Sequence, residues 1–129
     1  MRVLEIEWRH LDKEGNTCIR CSDTGQTLHR VAAELAEECR PHGWEIKFRE
    51  TKLTEKEIQE SNTILVDGKP LEKILKNATA GWSLCPSCCE LTGDSQTCCR
   101  TIEFEGKTYE SIPAHLIRQA VCEIAQCCQ

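Results

Sequence analysis

Leu4-Glu5-Ile6-Glu7-Trp8, a polar stretch, then Cys18-Ile19-Arg20-Cys21 and a long apolar stripe decide the reading of this chain. Leu4, Ile6 and Trp8 alternate with Glu5, Glu7 and Arg9, the period-two pattern of a strand with one polar face. The polar residues from His10 to Thr17, with Gly15-Asn16 among them, form a loop. Behind Cys21, the apolar positions Leu28, Val31, Ala32, Leu35, Ala36 and Cys39 recur at helical spacing. Asp23 and Gln26 make a capping box for this helix, and Pro41-His42-Gly43 ends it.

Working outward, Trp44, Ile46 and Phe48 alternate with Glu45, Lys47 and Arg49 as a second strand. A short helix follows, with Thr54 as cap, Glu57 closing the box and Leu53 stapled to Ile58. Thr63-Ile64-Leu65-Val66 is an unbroken strand of the kind buried on both faces. Asp67-Gly68 turns the chain, and Pro70 opens a helix through Leu75. Residues 77–100 break the pattern with five cysteines and little periodicity, and are expected as an irregular inserted loop. Glu105-Gly106 sits between Ile102-Glu103-Phe104 and Lys107-Thr108-Tyr109 as a hairpin, and Pro113 starts a last helix with Leu116, Ile117, Ala120, Val121 and Ile124 on its stripe. Strands alternating with helices predict one α/β domain over residues 1–129, a mixed sheet with helices on both faces and a Cys-rich insert at about 77–100.

The chain has 129 residues, a formal charge of −5 and no dense run of Lys and Arg, which argues against nucleic acid or an anionic membrane as its partner. Its longest aliphatic stretch is Ile64-Leu65-Val66, too short to cross a membrane. Eleven cysteines are the outstanding feature. Their odd number, the acids near the N-terminus where a signal peptide needs an apolar run, and the adjacent pairs Cys88-Cys89, Cys98-Cys99 and Cys127-Cys128 point away from a secreted disulfide framework. A reducing, cytoplasmic setting is expected, with thiols kept for redox work or metal.

Cys18-Ile19-Arg20-Cys21 lies between the first strand and a long helix, a context that favours a redox Cys-x-x-Cys, with half of a zinc site completed by other cysteines as the alternative. Helix N-terminal N–H groups favour thiolate, and Arg20 adds positive charge. In such a pair, the first cysteine attacks a disulfide and the second resolves the mixed disulfide. The strand–Cys-x-x-Cys–helix–strand order, the Ile64–Pro70 segment and the terminal hairpin and helix resemble the thioredoxin superfamily. More closely, the chain is similar to a family of uncharacterised prokaryotic thioredoxin-like proteins, classed as a domain of unknown function. Leu4 to Trp8, Cys18 to Cys21 with Thr24-Gly25, Ser61 to Glu72, the insert ending Cys99-Arg100-Thr101, and Tyr109 to Pro113 carry that likeness. The resemblance implies a thioredoxin-like fold with Cys18 as nucleophile and Cys21 as resolving thiol. It implies a protein or low-molecular-weight thiol or disulfide partner and no cofactor.

The insert offers a second chemistry. Cys85, Cys88, Cys89, Cys98 and Cys99 supply up to five thiolates, and a pair spaced as Cys85 and Cys88 matches a zinc-knuckle half. Zinc, an iron–sulfur cluster or a soft ion such as Cu(I), cadmium, mercury or arsenite all suit these ligands. Structural disulfides are the plain alternative, and a relay of disulfides to and from Cys18 and Cys21 is a third reading. Cys39 and Cys122 read as ordinary helix residues, and Cys127-Cys128 as a frayed end. His10, His29, His42 and His115 show no ligand spacing and read as surface or capping residues. Trp8 and Trp44 belong to the core, and Trp82 is placed to cover the dithiol.

Overall fold

The computed structural model describes residues 2–13 and 15–127. β1 (Arg2–Leu11), β2 (Trp44–Leu53), β3 (Thr63–Val66) and β4 (Lys69–Pro70) form a mixed sheet in the order β2-β1-β3-β4. β2 runs parallel to β1, with Leu4 opposite Ile46 and Ile6 opposite Phe48. Parallel neighbours need a long crossover, and α1 (Ile19–Cys39) supplies it. β3 lies antiparallel on the other side of β1, with Trp8 opposite Ile64.

The rest of the chain is α2 (Leu71–Ile74), β5 (Ala78–Leu84), α3 (Pro86–Thr92), β6 (Cys98–Phe104), β7 (Lys107–Tyr109) and α4 (Ala114–Ala125). β5, β6 and β7 make a second, antiparallel sheet. The expected hairpin closes on Glu105 and Gly106, both at positive φ (51° and 80°), the requirement of a tight two-residue turn. The Thr54 signal is met by a 3₁₀ turn over Glu55–Glu60, where the Glu57 carboxylate accepts from the Thr54 N–H at 3.3 Å.

Two expectations fail here. The insert is not irregular: residues 78–84, 86–92 and 98–104 are strand, helix and strand. Helices do not cover both faces of the four-stranded sheet. α1, α2 and α4 pack on one another as one layer, burying Leu4, Ile6, Leu28, Val31, Leu35, Leu116, Ile117 and Val121. On the other face, Glu7 is held by Thr51 Oγ1 (2.7 Å), Arg9 Nε (2.9 Å) and Arg49 (2.8 Å). Between helix and sheet the fit is close: a Cβ on Gly25 would lie 2.4 Å from Cη2 of Trp8, so only glycine lets α1 settle there.

The C-terminal end also differs from expectation. Cys127 is not frayed but buried, in a disulfide with Cys39 that ties the end of α4 to the end of α1. Cys39 is therefore a bonded residue rather than an ordinary core one. Cys122 is half-buried on α4, and Cys128 lies outside the described residues. No described helix is long and apolar enough to cross a membrane.

Candidate metal centre

Four sulfurs meet where the α1 end of the first sheet approaches the insert. Cys18, Cys85, Cys88 and Cys99 are all buried, and their Sγ atoms lie within 4.8 Å of one another. Each arrives from a different constraint. Cys18 caps α1, its Sγ accepting from the Cys21 N–H at 3.5 Å. The helix thus begins at Cys18 and Ile19, ahead of the Asp23 cap read from the sequence. Cys85 precedes α3, whose Pro86 is well placed at the first helical position. Cys85 and Cys88 bracket the first turn of that helix and share a face. The Cys85 N–H binds the Thr97 carbonyl at 3.0 Å, holding α3 against β6. β6 turns Cys99 inward and leaves its neighbour Cys98 exposed, as strand alternation demands.

Tetrahedral zinc with bonds of about 2.3 Å to sulfur sets its ligands roughly 3.8 Å apart. All four sulfurs fall within 4.8 Å of one another, compact enough for one shared ion once the Cys88–Cys99 pair, 2.7 Å apart, opens to that distance. In an iron–sulfur cluster each iron carries its own thiolate on the outside, which spreads the sulfurs more widely than a single shared ion does.

The electrostatics favour one thiolate among several thiols. Cys21, then Cys88 and Cys99, donate to Cys18 Sγ and hold its pKa far below the ordinary thiol range, against the opposing effect of burial. The same bonds push Cys21, Cys88 and Cys99 upward, burial adding to the rise. Arg20 is buried beside the site. Its guanidinium donates to the carbonyls of Leu84 (2.7 Å), Ser83 (3.4 Å) and Cys99 (3.4 Å), and pairs with Glu110 at 3.4 Å. One cation therefore joins α1 to both strands of the insert.

Residues 4–121 match the family described as a domain of unknown function, DUF2703. The chain belongs to this family. An uncharacterised protein of Archaeoglobus fulgidus is 33% identical to this DUF2703 chain over 118 residues, covering 88% of the chain and 82% of the relative. No solved structure matches it.

The DUF2703 domain gathers three of the five insert cysteines expected as ligands, Cys85, Cys88 and Cys99. Cys89 and Cys98 fall outside. Cys89 Sγ is half-buried against the Thr97 carbonyl at 3.7 Å, and Cys98 is exposed on a groove of about 520 Å³ lined also by Ile58, Gln59 and Trp82. The fourth sulfur of the cluster is that of Cys18, expected as a nucleophile. Cys21 stays out of the four, with its Sγ 3.2 Å from Ser61 Oγ. The pair Cys18 and Cys21 reads as half of a zinc site only as the alternative to redox use, and of the two the structure brings Cys18 to the insert sulfurs. With 98–104 a strand rather than part of an irregular loop, alternation turns only one of Cys98 and Cys99 inward. Trp82 does not fill the role expected of it: its ring is half-exposed, its Nε1 donates to the Gln59 carbonyl at 3.0 Å, and Arg100 lies over it at 5.8 Å. His10 is buried rather than a surface residue, stacked on Trp8 at 3.9 Å with Nε2 2.7 Å from Glu50.

Proposed function

We propose that this domain binds one thiophilic metal ion, with zinc the best match, through Cys18, Cys85, Cys88 and Cys99. One observation carries the reading: four buried sulfurs drawn from three elements, all within 4.8 Å of one another. A closed set of four thiolates is the ligand shell of a structural zinc site. Arg20 supports it by holding the Cys99 carbonyl, since groups around the ligands fix their orientation and tune affinity.

The test is metal analysis with native mass spectrometry on reduced protein reconstituted with zinc. About one equivalent is expected, in keeping with a four-thiolate site. Serine at Cys18, Cys85, Cys88 or Cys99 weakens binding, and serine at Cys89 or Cys98 leaves the stoichiometry unchanged. Reduced, folded protein that takes up no zinc and no other thiophilic ion overturns the reading.

A second reading, thiol–disulfide exchange at Cys18 and Cys21 on a thioredoxin-like body, is favoured by one contact. Thioredoxins set a cis-proline before the third strand, facing the dithiol. This chain has no proline in Ser61-Asn62-Thr63, and Ser61 instead sets its Oγ 3.2 Å from Cys21 Sγ. The two readings compete for a single sulfur, because Cys18 belongs to both. Reduction of a protein disulfide by metal-free protein, lost in Cys21→Ser, is the result that supports the second.

A further inference from the structure

Within the four-sulfur site the contacts are not equal. Cys88 Sγ and Cys99 Sγ are 2.7 Å apart, closer than two thiols rest and wider than a bond. Both side chains are buried, one on α3 and one on β6, so neither swings free to relieve the contact. Cys18 Sγ lies within 4.8 Å of both, and Cys21 meets it twice, through its N–H at 3.5 Å and through a thiol hydrogen bond to the same sulfur. The five buried thiols therefore form a connected path, Cys88 or Cys99 to Cys18 to Cys21, with Cys85 beside it.

We propose that the site holds either a metal ion or a disulfide: without metal, Cys88 and Cys99 join, and the bond then passes through Cys18 to Cys21. The oxidant is hydrogen peroxide, small enough to enter a buried site. It oxidises one thiolate to the sulfenic form, leaving water after protonation, and the neighbouring thiol displaces a second water as the S–S bond closes. The sulfur of Cys18 next attacks Cys88 or Cys99 and releases the other as thiolate. Cys21 attacks Cys18, its proton passing to the leaving sulfur, so that Cys88 and Cys99 regain two electrons and Cys18–Cys21 becomes the disulfide. Neither disulfide is compatible with four thiolates on one ion. That exclusion rests on the metal reading, whereas the disulfide path does not.

The test uses the full chain, reduced and stripped of metal, treated with one equivalent of hydrogen peroxide and then alkylated. Cleavage after Arg20 separates Cys18 from Cys21, and cleavage at Asp94 separates Cys88 from Cys99, so the bonds can be mapped. The map is expected to show Cys18–Cys21 with Cys85 alkylated. In Cys21→Ser, which keeps the four metal ligands, the bond stays at Cys88–Cys99. Zinc-loaded protein is expected to oxidise about tenfold more slowly or less, releasing its ion as the bond forms. Bonds made instead to Cys85, Cys89 or Cys98, or equal rates with and without zinc, overturn the proposal. A wild-type map showing Cys88–Cys99 alone removes the transfer step. If zinc binds but wild type forms no Cys18–Cys21 bond and Cys21→Ser leaves Cys88 and Cys99 alkylated, this proposal falls and the metal reading stands. If the disulfide forms in protein that never takes up zinc, the reverse holds.

Discussion

Glu7 shows how much one residue on the outward face of β1 carries. Burial alone raises a carboxyl pKa, yet hydrogen bonds from Thr51, Arg9 and Arg49 overcome it and hold Glu7 below the usual carboxylate range. Its folded pKa is thus lower than its unfolded one. The stability it contributes is fully present above the unfolded value and is lost as pH falls through the folded value. Glu7→Gln is expected to cost about 2 kcal/mol at neutral pH, and the gap from wild type should close in acid. Urea denaturation at the two pH values checks both. Glu7 was readable as strand and polar face, but its partners were not, because Arg49 and Thr51 reach it across the β1–β2 register. At Cys18 two signals conflicted. Asp23 is the better capping side chain by type, but Cys18 and Arg20 are anchored by burial, and the helix extends back to meet them.

At the scale of elements, the alternating strands and striped helices were read correctly because each buries one face. The insert was missed for a different reason. β5 carries Ala78, Ala80 and Gly81, with small side chains where alternation would show, and a Cβ on Gly81 would lie 2.9 Å from Thr101 Oγ1. The signals of α3 were present, Pro86 at its start and Gly93 at positive φ just past its end, but seven residues leave little periodicity to see. The ends of α1 and α4 are linked by Cys39–Cys127, at a sequence separation of 88. Closing a loop of that length restricts the unfolded chain, so replacing both cysteines by serine is expected to lower stability by about 4 kcal/mol. Thermal unfolding without reductant should show the loss, and reductant should bring wild type down to the variant. Among the described residues Cys18, Cys21, Cys85, Cys88, Cys89, Cys98 and Cys99 are free thiols, while Cys39, Cys122 and Cys127 are disulfide-bonded, against the reading of Cys39 and Cys122 as ordinary helix residues.

For the whole molecule, the candidate metal centre is a joint between two sheets. Three ligands belong to the β5–α3–β6 unit and the fourth to the cap of α1, so an ion there fastens the insert to the body. Chelation is expected to raise hydrogen exchange in residues 78–104 while the β1–β3 pairing keeps its protection, since site formation and local order are coupled. Uniform loss of protection across both sheets would mean that the two do not respond separately. Finally, α1 spans 21 residues, about 30 Å of stiff rod, with Cys18 at one end and the bonded Cys39 at the other. Sulfur exchange proceeds only by contact, so nothing that happens at one end passes directly to the other. The rod is an insulator: staple and joint share no sulfur contact, so each meets oxidant or reductant by an encounter of its own.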